Sequence, residues 1–239
     1  MYWLLVLQIV VACALAQQKL PSYIKPCSTK SPDFLKCALA SANEAIPHIV
    51  KGDKSLGIPK LDPLRLPLIE VEQNNFKLSL KDVQIFGMRN IKATALNLDP
   101  SQFDATFEIE NLNLVGTHHT DGKVLVLTLQ GEGPANMTGV GGTYRVTAAV
   151  TRYTKGGLEY LKLDKPKIDF TLKRAYFQMD NLIAGDQKLS SDINQILNDS
   201  WQDVLKDVGA PIKETVSAII ESIVPKILDK VPEKEIFPE

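Results

Sequence analysis

Apolar and polar residues alternate strictly in several segments in the middle of the chain. Successive side chains of a β-strand point to opposite faces, so this period of two predicts strands with one apolar face and one solvated face. Such strands are typical of antiparallel sheets. The clearest segments are residues 76–81, 103–110, 144–151 and 168–173.

The pattern also predicts where the strands bend and turn. The apolar phase slips between Leu80 and Val83, which predicts a β-bulge and hence a curved sheet. Asp121-Gly122 and Gly156-Gly157 have the composition of hairpin turns. Residues 57–67 contain three prolines, and we expect neither a helix nor a regular strand there.

Segments near both ends of the chain have a helical period instead. Apolar residues recur at spacings of three and four in residues 33–51, where Pro47 is expected to bend the helix or end it early. The same spacing runs through residues 189–231, which would form a helix roughly 60 Å long at 1.5 Å per residue. Gly209-Ala210-Pro211 and Pro225 would kink or divide this helix.

An apolar stripe of this length needs an equally long apolar surface to pack on, and the half-apolar strands supply it. The pattern therefore predicts an α+β fold in which a strongly curved antiparallel β-sheet wraps a long C-terminal α-helix. A long, thin core is hard to fill with side chains over its whole length, so we expect an internal hydrophobic tunnel.

Residues 1–16 have the features of a signal peptide. The run from Leu4 to Ala16 is apolar except for Gln8 and ends in Ala14-Leu15-Ala16, a pattern that signal peptidase accepts. The run is shorter than the roughly 20 apolar residues of a membrane-spanning helix. We therefore expect a secreted protein without stable membrane insertion.

The cysteines and sequons agree with secretion. Cleavage after residue 16 would remove Cys13, and Cys27 and Cys37 are then expected to form one disulfide in an oxidising compartment. Sequons begin at Asn136 and Asn198, and the first is the stronger candidate for glycosylation because its surroundings are rich in glycine.

Charge and composition exclude several classes of protein. The 27 basic and 28 acidic side chains give a formal charge of −1, so nothing points to nucleic acid or to an anionic surface as partner. His118-His119 is interpreted as a solvated loop pair, since strand neighbours point to opposite faces and make a poor metal site. We expect no enzyme, no catalytic residue, no metal and no cofactor.

Aromatic side chains spread through the strands and the long helix are candidates for the wall of the tunnel. Core packing explains each of them taken singly. As a set facing a channel they would bind an acyl chain or an isoprenoid, since each buried CH₂ contributes about 0.8 kcal/mol. Val216 and Ile219 are positions of the long helix at which a tryptophan would block the tunnel. The aromatic candidates are Phe76, Phe86, Phe103, Phe107, Tyr144, Tyr153, Tyr160, Phe170, Phe177 and Trp201.

Four features together resemble the insect takeout and juvenile-hormone-binding proteins, and they span most of the chain. They are the pair Cys27 and Cys37 after a signal peptide, the sequence GIPKLDPL of residues 57–64, the sequence GEGP of residues 131–134, and residues 198–209 with the closing Phe237-Pro238. The single, widely spaced cysteine pair is similar to the takeout branch, which leaves juvenile hormone itself open as the ligand.

The resemblance implies a fold like that of the tubular lipid-binding proteins. Chain length alone leaves one domain or two open, whereas the resemblance implies a single domain over residues 17–239. Within it we expect an arm and a helix in 17–55, the curved sheet in 56–188 and the long helix in 189–232.

The resemblance also implies a carrier of a small lipophilic ligand in haemolymph or another extracellular fluid. Juvenile hormone, another terpenoid and a fatty-acyl compound are the candidate ligands. The alternative is a secreted signalling or structural protein with a filled core, which acts through a surface recognised by an unidentified receptor or partner protein. A membrane-engaging lipid-transfer protein is a third hypothesis, and neither the charge balance nor the placement of aromatic residues favours it.

Overall fold

The computed structural model describes residues 19–73 and 75–239, so the predicted signal peptide lies outside the described residues. The described strands form one antiparallel sheet: β1 (Leu64–Gln73), β2 (Phe76–Phe86), β3 (Lys92–Leu98), β4 (Gln102–Val124), β5 (Leu127–Lys155), β6 (Leu158–Thr171) and β7 (Arg174–Met179). The described α-helices are α1 (Phe34–Lys51), α2 (Gln187–Asp199), α3 (Trp201–Ile223), α4 (Pro225–Leu228) and α5 (Glu233–Ile236).

The two longest strands form the spine of the sheet. β4 and β5, of 23 and 29 residues, pair with each other from Gln102↔Ala149 to Val124↔Leu127. The outer side of β4 pairs with β3 near its start and with β2 near its end. The outer side of β5 pairs with β7 near its start and with β6 near its end. The strand order is therefore β1-β2-β4-β5-β6, with β3 and β7 beside the spine.

Helix α3 closes the curved sheet into a tube. It packs against β1 and β6, the two strands at opposite ends of the strand order. The side chains that face inward from the strands therefore meet the apolar stripe of the helix. This arrangement confirms the predicted α+β fold, in which a curved antiparallel sheet wraps a C-terminal helix.

The predicted bulge in β2 is confirmed. The register with β4 shifts between Lys81 and Gln84, and Asp82 has a positive φ of 52°. The expectation of no regular strand in residues 57–67 is wrong from Leu64 onward, where β1 begins. Pro67 is tolerated because β1 is an edge strand and Pro67 lies opposite the bulged residue Asp82.

One of the two predicted turns is confirmed. Gly156-Gly157 joins β5 to β6, with φ of 60° and 77°. Asp121-Gly122 is not a turn, since both residues lie inside β4, which continues to Val124 and is followed by the turn Leu125-Val126. Glycine is required at 122 for another reason: its φ is 115°, and a Cβ there would lie 1.8 Å from the carbonyl oxygen of Asn75.

The long helix is divided at one of the predicted positions and at one that was not predicted. The backbone of Ser200 leaves the helical region between α2 and α3, with φ of −102° and ψ of 25°. Pro225 begins a new helix, as expected. In contrast, α3 continues through Gly209-Ala210-Pro211 and α1 continues through Pro47. Of the two alternatives expected at Pro47, a bend or an early end, the early end is wrong. A proline removes one intrahelical hydrogen bond, and the packing of each helix on the sheet compensates for that loss.

The two ends of the described chain meet. The predicted disulfide between Cys27 and Cys37 is confirmed and joins the N-terminal arm to α1. The backbone N–H of Cys27 donates to the carbonyl oxygen of Ile236 at 3.3 Å, and that of Thr29 donates to Pro238 at 3.1 Å. The arm therefore holds the C-terminal residues in place.

Candidate functional site

An elongated cavity, here called the tunnel cavity, lies between the inner face of the sheet and α3. Its volume is about 250 Å³. Along α3 its wall runs from Val204 to Ile219, which corresponds to about 22 Å of helix at 1.5 Å per residue. Strands β1, β2, β4, β5, β6 and β7 supply most of the remaining wall.

The wall of the tunnel cavity is almost wholly apolar. In β2 every second residue contributes to the wall, namely Phe76, Leu78 and Leu80, whereas β5 and β7 also contribute consecutive residues. The side chains with polar groups in the wall are Thr120, Thr138, Tyr144, Tyr176 and Thr215. Two of the five hydroxyls donate elsewhere, since Thr215 donates to the carbonyl oxygen of Pro211 and Thr120 to His118. An apolar ligand would therefore meet few polar groups.

Six of the twelve candidate residues contribute to this wall. They come from five different elements, so the fold brings together residues that are far apart in sequence. The six are Phe76, Tyr144, Phe170, Phe177, Val216 and Ile219.

The structure places the other six candidates away from the tunnel cavity. Phe86 follows the bulge in β2, which turns Val83 and Ile85 inward, so the candidate one residue later lies on the other face. Phe103 and Phe107 lie in the half of β4 that pairs with β3, beyond the wall residues.

The remaining three candidates form contacts between different elements of the fold. Tyr153 and Tyr160 stack with their ring centroids 5.6 Å apart near the β5–β6 turn, and the Tyr153 hydroxyl donates to Asp229 at 2.9 Å. Trp201 begins α3, and the guanidinium carbon of Arg174 lies 5.9 Å from the centre of its ring. Period-two alternation predicts the face of a residue but not its position along a tube, which explains why these candidates lie outside the cavity wall.

Tyr144 offers a polar group within the apolar wall. Burial raises the pKa of its hydroxyl to about 12. Its ring stacks on Phe170 with a centroid distance of 6.1 Å, and a Cβ at Gly142 would lie 2.4 Å from the ring. No residue in the described part of the chain forms a hydrogen bond with this hydroxyl, so it can donate to or accept from a polar group of a ligand.

The interpretation of His118-His119 as a solvated loop pair is wrong for His118. Both residues lie in β4, and His118 is fully buried while His119 is exposed. Because the carbonyl oxygen of Asp180 can only accept, the Nε2–H of His118 donates to it at 2.7 Å. Nδ1 then accepts from the Thr120 hydroxyl at 2.8 Å. This pairing satisfies a polar group of the tunnel wall, and burial lowers the pKa of His118.

The two sequons have different surroundings. Asn136 lies in β5, where its side chain is exposed and its Oδ1 accepts from Asn113 at 2.6 Å. Asn198 lies half-buried in the last turn of α2, and its Nδ2 donates to the carbonyl oxygens of Phe177 and Asn194, each at 2.7 Å. Only Asn136 therefore presents an amide nitrogen free for modification.

Residues 19–73 and 75–239 contain neither a candidate membrane span nor a candidate metal cluster. Within these ranges no helix combines the length and the apolar character that a membrane span requires. In the same ranges, no three side chains of His, Cys, Asp or Glu are grouped so that they could hold a metal ion.

Comparison with known proteins gives three findings. The family model described as "Haemolymph juvenile hormone binding protein (JHBP)" matches residues 4–238. A curated protein of Schistocerca gregaria named "Putative beta-carotene-binding protein" is 32% identical over 117 residues, which cover 46% of either chain, so this chain spans about half the length of that relative. The crystal structure of Epiphyas postvittana Takeout 1 has a TM-score of 0.82 at 21% identity, covering 90% of this chain and 100% of the other. This last similarity concerns the fold.

Proposed function

The chain belongs to the haemolymph juvenile hormone binding protein family, and from this premise we propose that it is a secreted carrier of a small lipophilic ligand held in the tunnel cavity. The elongated cavity with an almost wholly apolar wall is the observation that carries the proposal. The predicted signal peptide of residues 1–16 and the disulfide between Cys27 and Cys37 support secretion into an extracellular fluid.

The size of the cavity favours a carrier over a scaffold with a filled core. Protein interiors are packed as densely as organic crystals, and an empty apolar space of this size forfeits many van der Waals contacts. A bound hydrocarbon chain would restore those contacts. The cavity volume of about 250 Å³ is therefore accounted for if a ligand fills it.

The shape and chemistry of the wall indicate the ligand class. A space about 22 Å long beside α3 suits an extended acyl or isoprenoid chain rather than a compact molecule. The Tyr144 hydroxyl suits a ligand with a single polar group, such as a carboxyl, ester or epoxide. Juvenile hormone, other terpenoids and fatty-acyl compounds share this chemistry, and the name of the Schistocerca gregaria relative adds carotenoids. We propose the six wall residues among the sequence candidates as ligand contacts.

The decisive experiment identifies the molecule bound to the wild-type protein and then tests whether a substitution that fills the cavity prevents its binding. Protein secreted from insect cells is analysed by native mass spectrometry, and the molecule that it releases is identified after organic extraction. Val216→Trp places an indole inside the wall and should reduce ligand occupancy and affinity at least about tenfold, because it displaces the volume that the chain would fill. Ala218→Trp is the matched control, since Ala218 lies in the same helix with its side chain exposed.

A stoichiometric lipophile on the wild-type protein and on Ala218→Trp, and its loss from Val216→Trp, would support the carrier. Unchanged uptake and unchanged stability in Val216→Trp would contradict the assignment of the cavity. A wild-type protein that carries nothing and binds neither fatty acids nor juvenile hormone would favour the alternative of a surface-recognised signalling protein.

A further inference from the structure

A second, polar cavity adjoins the tunnel cavity at the end of the molecule where β4 turns into β5. Its volume is about 230 Å³. Phe76, Val124 and Val208 belong to the walls of both cavities, so the two spaces are neighbours. The rest of its wall consists of Asn75, Lys123, Leu125 and Asp207. We call this second space the mouth.

The turn beside the mouth contains residues that its backbone conformation disfavours. Leu125 and Val126 are the two residues between the paired Val124 and Leu127, and Leu125 has a positive φ of 54°. Two-residue hairpin turns favour glycine or asparagine at positions of this kind, because a Cβ is strained there. An aliphatic pair at this turn therefore works against the local backbone, and such violations are concentrated at functional sites.

Val126 is also far more exposed than the other large apolar residues on the surface. It is 91% exposed, whereas the next, Tyr176, is 50% exposed. An exposed β-branched aliphatic side chain at a hairpin tip stabilises neither the turn nor the core. Leu125, beside it, is half-buried and packs against the core, so the tip joins the apolar interior to the surface.

The turn is fixed to α3 across the mouth. The backbone N–H of Leu125 donates to Oδ2 of Asp207 at 3.1 Å. The rim therefore carries one acidic and one basic side chain, Asp207 and Lys123, and has no net charge. A rim of this kind does not require an anionic surface, and it suits contact with a neutral or zwitterionic one.

We propose that the β4–β5 hairpin tip docks on a phospholipid bilayer and that the ligand passes between the bilayer and the tunnel cavity through the mouth. The proposal rests on the carrier function proposed above. A lipophile that crosses water exposes its whole apolar surface on the way, whereas transfer at a contact avoids that cost. One exposed aliphatic side chain gives a shallow, reversible contact, which agrees with the expectation of no stable membrane insertion.

The test measures transfer of anthroyloxy-labelled palmitate from the loaded full-length protein to phosphatidylcholine vesicles that contain a quencher. Docking predicts that the transfer rate of the wild-type protein rises with vesicle concentration. Val126→Ser should reduce this rate at least about fivefold, because it removes the apolar contact with the bilayer. Leu35→Ser is the matched control, since Leu35 is also an exposed aliphatic residue but lies in α1, and it should retain the wild-type rate.

Equilibrium binding of the labelled palmitate separates docking from loading and from misfolding. Val126→Ser should bind the probe with the wild-type Kd while it transfers the probe slowly. A wild-type rate that does not depend on vesicle concentration, or a wild-type rate in Val126→Ser, would overturn docking on bilayers and assign the tip to a protein partner or to none. A wild-type protein that does not bind the probe at all would instead contradict the carrier function for acyl ligands, and the present proposal with it.

Discussion

At the scale of single residues, His118 illustrates how a short pattern is misjudged. Two adjacent histidines beside Asp121-Gly122 have the composition of a loop, yet β4 continues past them and buries the first one completely. Burial lowers the pKa of His118, so the imidazole is neutral at pH 7, where Nε2–H donates to Asp180 and Nδ1 accepts from Thr120. Its neighbour His119 points to the outer face, as strand geometry requires.

We expect the stability of the protein to depend on this imidazole below neutral pH. Burial holds the pKa of His118 below its ordinary value of 6.5, so the unfolded chain takes up a proton at a higher pH than the folded one. The free energy of unfolding therefore falls as the pH drops from about 6.5 toward the lowered folded-state pKa, by at most about 1.4 kcal/mol per pH unit.

Urea denaturation between about pH 7.5 and about pH 5 measures this slope, with other groups contributing at the acidic end. His118→Gln should flatten the slope even if it lowers stability overall. His119→Gln should keep it, since that side chain is exposed. A wild-type slope in His118→Gln would mean that His118 has no part in the pH dependence.

At the scale of elements, α2 lies beside β7 in place of a neighbouring strand. Asn194 pairs with both backbone groups of Met179, accepting at 2.9 Å and donating at 2.7 Å. Asn198 does the same for Phe177 at the same two distances. Four residues of helix advance about 6 Å and two residues of strand about 6.7 Å, so the two spacings match.

Asn198→Ala should therefore lower the free energy of unfolding by about 2 kcal/mol, because both backbone groups of Phe177 lose their partner. Gln195→Ala, on the exposed side of α2, is the control and should change stability little. Urea denaturation of the two variants distinguishes them, and equal stabilities would contradict the role of the asparagine.

The same contacts bear on glycosylation. Both amide hydrogens of Asn198 are used, and a glycan would replace one of them. We expect secreted protein to lose glycan mass in Asn136→Gln and not in Asn198→Gln. A mass loss in the second variant would show that the sequon is modified before α2 docks on β7.

Turns and helix ends were predictable from the sequence only where the local residue types match the backbone that the tertiary structure imposes. Gly156-Gly157 was recognisable as a turn because its composition matches its backbone, whereas Leu125-Val126 breaks that rule. The division at Ser200 has no glycine or proline as a signal. Half of the wall candidates line the cavity because period two gives the inner face, but the extent of the cavity along the tube depends on register and on the bulge at Asp82.

At the scale of the whole molecule, the two chain ends are held by one cross-linked segment. The arm with Cys27 bonds to Ile236 and Pro238 through its backbone, and the Phe34 ring packs edge-on against Phe237 with centroids 5.5 Å apart. The disulfide therefore acts on residues close to both ends, although its two cysteines are only 10 residues apart.

Replacing both cysteines, in Cys27→Ser/Cys37→Ser, should lower the free energy of unfolding by roughly 2–3 kcal/mol, the value that a loop of this length gives in the chain-entropy model. Limited proteolysis should cut near Phe237 sooner than in the wild type. Wild-type protein kept in reductant is the control and should behave like the variant. An undiminished midpoint in urea would show that arm and tail hold each other without the cross-link.

The packing of helices along the sheet has a consequence for aggregation. In an open sheet the outer strands β1 and β6, of 10 and 14 residues, would offer rows of unpaired backbone groups, at which other chains add strands and aggregates begin. Here a helix packs beside each outer strand: α3 beside β1 and β6, α1 beside β3, and α2 beside β7. The helices thus protect the outer strands of this sheet, as closure protects the strands of a barrel. They leave few unpaired backbone groups to which a second molecule could add a strand.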